Sequence, residues 1–163
     1  MNKIQVNTPR RSTALYRFEN PGKPKLMLVH GNASSSAFFF PVIEKLAKDY
    51  DIAAPDLNGF GDTEHSPVRA PTALLDWAED LNALADALHF DRFALLGWSL
   101  GGGVAMKYAI LHPEKLTHLL LLSPMSPYGF GGTKGENGEM YDATGWGSPG
   151  GFANPGFIQK LKE

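Results

Sequence analysis

The stretch Phe93-Ala94-Leu95-Leu96-Gly97-Trp98-Ser99-Leu100-Gly101-Gly102-Gly103-Val104-Ala105 decides the fold. The run from Arg92 to Leu96 has the near-continuous apolar character of a strand buried on both faces. A helical segment follows, Leu100 to Leu111, which His112-Pro113 ends. Between them lies Gly97-Trp98-Ser99-Leu100-Gly101. As a bare pattern, G-x-S-x-G is weak; on a strand–turn–helix elbow it is informative. So tight a turn strains the serine backbone and brings the residues on either side of it close together. Gly97 and Gly101 have no Cβ to clash there. Ser99 then stands at a helix N-terminus, where backbone N–H groups and the helix dipole favour a developing anion. A serine that only caps a helix after a glycine turn gives the same letters. The elbow setting favours a nucleophile.

Working outward, short apolar runs alternate with segments of helical period. Lys25 to Val29 predicts a strand ended by His30-Gly31, Phe39 to Tyr50 a helix, and Asp51 to Asp56 a strand. Thr72 to Leu88 is the clearest helix, with Leu74, Leu75, Ala78, Leu81, Ala85 and Leu88 on one face. Leu116 to Leu122 is a last strand, and Ile4–Asn7 with Ala14–Phe18 suits an opening antiparallel hairpin. This order predicts an α/β fold, a mostly parallel sheet with helices on both faces.

Composition narrows the class. The chain has 163 residues, 43% of them hydrophobic, with fifteen Lys and Arg against seventeen Asp and Glu. That is one globular domain with a possible appendage, and its balanced charge gives no reason to expect nucleic acid or an anionic membrane as partner. No cysteine is present, so thiol nucleophiles and thiolate metal sites are excluded. No His, Asp or Glu grouping has metal-ligand spacing, and Gly101-Gly102-Gly103 lacks the Lys-Ser/Thr of a phosphate loop. We expect no cofactor. With neither a signal-like apolar run near Met1 nor a membrane-length one elsewhere, the expectation is a soluble, cytoplasmic chain.

After Leu122 the character changes. Residues 123 to 156 hold ten of the eighteen glycines, too long a run for an ordinary connection. The expected division is a core over 1–123 and a Gly-rich loop leading into a lid over 124–163. Phe157 to Glu163 looks like the first turns of a helix, and its stop there suggests that something is missing.

Acyl transfer also needs donors aimed at the oxyanion. One is the Leu100 N–H; the second is expected from the loop His30 to Ser36, with Asn32 the first candidate and Ala33 the next. Ser34 to Ser36 read as a solvated, helix-capping loop. Three motifs now stand in register: His30-Gly31-Asn32, Asp56-Leu57-Asn58-Gly59-Phe60-Gly61-Asp62-Thr63 and Gly97-Trp98-Ser99-Leu100-Gly101-Gly102. Together they resemble the N-terminal part of an α/β-hydrolase-fold enzyme of the esterase, lipase and proline-iminopeptidase-like group. The resemblance implies an eight-stranded sheet of which this chain supplies six strands, and a lid inserted after the sixth. It also implies a triad in the chain order Ser, Asp or Glu, His.

Here the chain departs from the family. Beyond Leu122 there is no His, and the one Asp is Asp142 in the Gly-rich loop. Of the five histidines, His30 reads as loop-shaping, His65 as misplaced in its loop, His89 and His112 as helix C-terminal, and His118 as buried and satisfied in its strand. The favoured expectation is that a C-terminal portion or second polypeptide supplies the missing groups; a truncated piece and a half-fold with a binding role are the alternatives. A sheet ending at its sixth strand leaves an unpaired edge that needs covering.

Other positions have plainer readings. Asp56, Gly59, Gly61 and Asp62 shape a turn, and Asp76, Glu79, Asp80 and Asp86 form a solvated helix face. Phe38-Phe39-Phe40 packs into the core, although Phe38 could line a pocket, as could Trp98 and Ala33. The expected reaction is hydrolysis of a small carboxylic ester through an acyl-enzyme on Ser99. Aminopeptidase, lactonase, C–C hydrolase and perhydrolase chemistry, or a non-catalytic binding role, remain open beside it.

Overall fold

The computed structural model describes residues 3–68 and 72–125, together with the backbone of two short strands at 133–134 and 139–140. Six strands form one sheet: β1 (Ile4–Asn7), β2 (Ser12–Phe18), β3 (Lys25–Val29), β4 (Asp51–Pro55), β5 (Phe93–Trp98) and β6 (Leu116–Leu122), in the order β1-β2-β4-β3-β5-β6. β1 and β2 form the expected hairpin, and β2 meets β4 antiparallel. β4, β3, β5 and β6 are mutually parallel. Three helices connect them: α1 (Phe40–Leu46), α2 (Ala73–Ala87) and α3 (Leu100–Leu111). In the Gly-rich stretch, Thr133–Lys134 pairs antiparallel with Glu139–Met140. The expected helix from Phe157 and the carboxylate of Asp142 lie outside the described residues.

The path of the chain explains why helices cover both faces. From β3 it steps to β4 on one side through α1, then crosses back over β3 to β5 through α2, and on to β6 through α3. Parallel crossovers are right-handed, so reversing the step direction moves the helix to the opposite face. Two core clusters result. Leu26, Leu28, Phe39, Ile43, Ile52 and Ala54 pack on the α1 face. Met27, Val29, Leu81, Leu84, Phe93, Leu95 and Val104 are among those on the α2/α3 face. The reversal lies between β3 and β5, and the crevice at the carboxyl ends of strands at such a point is where open α/β sheets bind ligands.

Several local expectations are corrected. The helix expected over 39–50 is a 3-10 turn at Ser36–Phe39 followed by the short α1, because Pro41 fits only the first helical turn. On α2 the buried face turns in Trp77 rather than Leu75, and Trp77 Nε1–H donates to the Asn58 carbonyl at 2.9 Å. Asp80 is not solvated: it is 7% exposed, with Arg10 Nε donating to one oxygen at 2.6 Å and Arg11 Nε to the other at 2.8 Å. The turn between β1 and β2 delivers both guanidinium groups, a long-range pairing that local sequence does not announce. His118 is exposed rather than buried, because β6 is an edge strand.

Candidate active site at the carboxyl ends of the strands

β5 runs two residues past the expected Leu96, to Trp98, and α3 begins at Leu100. Ser99 alone makes the turn, with φ 54° and ψ −115°. A positive φ at a non-glycine residue costs about 1–3 kcal/mol and persists only where the surroundings enforce it. Here they do. A Cβ at Gly97 would lie 2.2 Å from the Gly101 carbonyl oxygen, and one at Gly101 would lie 2.2 Å from the Val29 oxygen. The Ser99 N–H donates to the Leu122 carbonyl at 3.0 Å, while the Ser99 carbonyl accepts from Met125 N at 2.7 Å and Gly102 N at 3.0 Å. The end of β6 and the residues just beyond it thus clamp the elbow from both sides, a role for Leu122 and Met125 that the sequence did not advertise. Leu100 N–H is the first amide of α3, a position with no intrahelical acceptor.

The opposing loop is fixed by its own chemistry. His30 is fully buried, and its Nε2 accepts from the Leu57 N–H at 3.0 Å. The proton of the neutral ring is therefore on Nδ1, which donates to the Gly31 carbonyl at 2.8 Å. Burial pushes the His30 pKa down, against the opposing pull of that carbonyl and of Asp56, and holds the ring neutral. In a trans peptide the C=O and N–H point opposite ways. Holding the Gly31 oxygen toward the His30 ring therefore turns the Asn32 N–H away from it. Asn32 and Ala33 are exposed, and Ala33 adopts φ 50°. A Cβ at Gly31 would lie 3.1 Å from Ser99 Cβ, so this loop and the elbow are in direct apposition.

Two further expectations change here. Ser36 is not solvated: it is fully buried, and its N–H and hydroxyl both donate to Asp56 Oδ1, at 2.8 and 2.6 Å. Ser35 keeps the capping role, its hydroxyl facing Ala37 N. Phe38 is 61% exposed instead of packed in the core, and it stacks on Trp98 with ring centroids 5.6 Å apart. Phe39 and Phe40 do pack inward, Phe40 edge-on to Tyr16. The Asp56–Asp62 turn is as expected, with Gly59 at φ 87° and Gly61 at φ 54°.

Four of the five histidines are engaged elsewhere or lie far from Ser99. Both ring nitrogens of His30 are engaged. His89 and His112 follow the C-terminal ends of α2 and α3, where the strands begin; His112 meets Glu79 at 3.2 Å. His118 pairs with Ala94, five residues before Ser99 and so about 16 Å along the strand. His65 is exposed in the loop after β4. Among the described residues no group of three or more His, Asp or Glu could hold a metal, and no helix is long and apolar enough to cross a membrane.

A mostly parallel sheet with a strained serine at the strand-to-helix turn, and the His30–Ser36 loop set against that turn, is the arrangement of an α/β hydrolase fold. The comparisons agree. Residues 24–152 match the family described as the alpha/beta hydrolase fold, and the chain belongs to that family. It is 34% identical over 143 residues to a serine hydrolase-like protein of Danio rerio, covering 80% of this chain and 43% of that one. It is 36% identical to the 2-hydroxymuconate semialdehyde hydrolase of a Pseudomonas species, covering 60% and 35%. A bacterial membrane phospholipase A has a similar structure, with TM-score 0.72, 28% identity and coverage of 82% and 42%. The chain spans less than half the length of each of these relatives.

Proposed function

We propose that Ser99 is the nucleophile of a hydrolase that cleaves small carboxylic esters through an acyl-enzyme. The observation that carries this reading is the backbone of Ser99, held at positive φ between Gly97 and Gly101 on the turn from β5 into α3. Ser99 Oγ attacks the ester carbonyl as its proton passes to a base. The tetrahedral oxyanion is held by the N–H groups of Leu100 and Asn32. Collapse expels the alcohol, which takes up the proton, and water then cleaves the acyl-enzyme to return free Ser99. The histidine base and its Asp or Glu partner come from a C-terminal portion that completes the sheet beside β6. Its supports are the span of the relatives, the engaged or distant His30, His89, His112 and His118, and the edge of β6, unpaired among the described residues. Trp98, Phe38 and Ala33 flank the place where the acyl group lies.

The test is Ser99→Ala in the active assembly, with p-nitrophenyl acetate as substrate. Turnover should be lost, with the thermal midpoint unchanged; retained turnover would overturn the assignment. The likeness to a semialdehyde hydrolase favours a second reading, hydrolytic C–C cleavage at the same serine. A vinylogous diketone cleaved much faster than any ester would select it.

A further inference from the structure

The carboxylate of Asp56 is 1% exposed at the end of β4, yet it meets three separate parts of the chain. Oδ1 accepts both the N–H and the hydroxyl of Ser36, in the loop that carries Asn32. Oδ2 accepts the Asp62 N–H at 2.9 Å and the Lys3 ammonium. Thr63 closes the set, donating its hydroxyl to the Asp56 carbonyl at 2.7 Å and accepting from Ala14 N at 2.9 Å. Gly61 leaves room for this carboxylate, since a Cβ there would sit 2.0 Å from Oδ2.

We propose that Asp56 is a positioning residue of the oxyanion site, acting through Ser36 to fix the far end of the His30–Ser36 loop. The inference rests on the reading of Asn32 as an oxyanion donor. His30 pins that loop at its start through the Gly31 carbonyl. Left there alone, the segment through Asn32 and Ala33 would be anchored at one end only, with both residues in solvent. The double donation from Ser36 supplies the second anchor, and charge-assisted hydrogen bonds of this kind are roughly twice as strong as neutral ones. The two oxygens divide the work. Oδ1 serves the oxyanion loop, whereas Oδ2 serves the β4 turn and the N-terminal strand. Burial alone pushes the carboxyl up, but the donors from Lys3, Ser36 and Asp62 together hold it below its ordinary value, so it stays charged as an acceptor.

That division makes the proposal testable by cutting each side separately, again in the active assembly with p-nitrophenyl acetate. Asp56→Asn takes the charge and one acceptor from the group as a whole, Ser36→Ala removes a donor to Oδ1 only, and Lys3→Met a partner of Oδ2 only. A displacement of about 1 Å at a reacting group costs on the order of 100-fold in rate. Asp56→Asn should therefore lower kcat by roughly 10- to 100-fold. Ser36→Ala should do so by a few-fold, both with KM within about twofold. Lys3→Met, assayed at about pH 8 where the carboxyl stays charged without the ammonium, should lower the thermal midpoint and leave kcat within about twofold. If Lys3→Met lowers kcat as much as Asp56→Asn, or if Asp56→Asn leaves kcat intact, Asp56 is only a structural brace and the proposal fails. Ser99→Ala in the same series separates the two ideas, since turnover surviving in it sinks the nucleophile assignment itself.

Discussion

β5 and β6 are neighbouring strands of similar apolar content with opposite surroundings. β5 lies between β3 and β6; on the face against α3 its Phe93, Leu95 and Gly97 are buried, while Ala94, Leu96 and Trp98 on the other face are half-buried beside the α1 cluster. Among the described residues β6 pairs on one side only, and its Leu119, Leu120, Leu121 and Leu122 stay between 39% and 53% exposed. An apolar run says what a strand requires; it does not say which residues supply the cover. On the α3 face of β5 the requirement is met so tightly that Gly97 and Gly101 tolerate no Cβ. Along β6 it is unmet among the described residues.

The tight side breaks first. Gly101→Ala is expected to have the largest effect, because its Cβ would press on the Val29 and His30 carbonyl oxygens at 2.2 and 2.5 Å. Both are backbone atoms of β3 and its exit, so relief requires α3 to move off the sheet. A loss of about 3 kcal/mol is expected, at the upper end for overpacking, measured as a shift in the urea midpoint. Gly103→Ala two residues on is the internal control. Its Cβ would first meet the Met125 methyl at 2.9 Å, the flexible end of a side chain, and its cost should be much smaller. Equal losses would mean that the close approach at the elbow is not what holds the turn.

A gentler probe of the same region is pH. His30 has a folded pKa below its ordinary 6.5, with burial the main cause and the Gly31 carbonyl and Asp56 opposing it. Between the folded value and about 6.5 the unfolded chain binds a proton that the folded chain refuses, so stability rises with pH there. The contribution is fully present above about pH 6.5 and is lost as the pH falls through that window toward the folded pKa. The nearby charges that set the slope are Asp56, which favours the imidazolium, and Lys3, which opposes it. His30→Asn should flatten the urea midpoint between pH 7 and pH 5.5. A midpoint that falls as steeply in the variant would place the slope elsewhere.

The order of elements in the core and the elbow were legible because they are local. A strand run, a glycine on either side of Ser99 and a helical period need only their own neighbours. Asp80, Ser36 and Phe38 were misread for one shared reason: their environments are set by residues far along the chain. Arg10 and Arg11 reach Asp80 across about seventy positions, and Asp56 reaches Ser36 across twenty. A lone serine or aspartate in a polar stretch carries no local mark of such a partner. His118 is the converse case. Its apolar context suggested burial, but burial on β6 depends on chain lying outside the strand itself, as the exposed leucines beside it show.

The β6 edge gives the last and smallest effect on stability, and it sharpens the contrast most. Leu120 is 43% exposed, and its ladder partner Leu96 packs against the α1-face cluster. Paired residues share a face, so Leu120 borders the open groove of about 710 Å³ that also meets Leu26, Leu46, Tyr50, Ala94 and His118. A lysine there keeps its stem on the apolar wall and its ammonium in water. Leu120→Lys should change the stability of this chain by no more than about 0.5 kcal/mol, as substitutions at exposed positions do. In the active assembly the same lysine would be buried without a partner against the completing portion. Its association, followed by sedimentation or recovered turnover, should fall by at least about 30-fold, the equivalent of about 2 kcal/mol. A large loss of stability in this chain alone would show that Leu120 is already covered. Undiminished association would show that the completing portion does not cover this face.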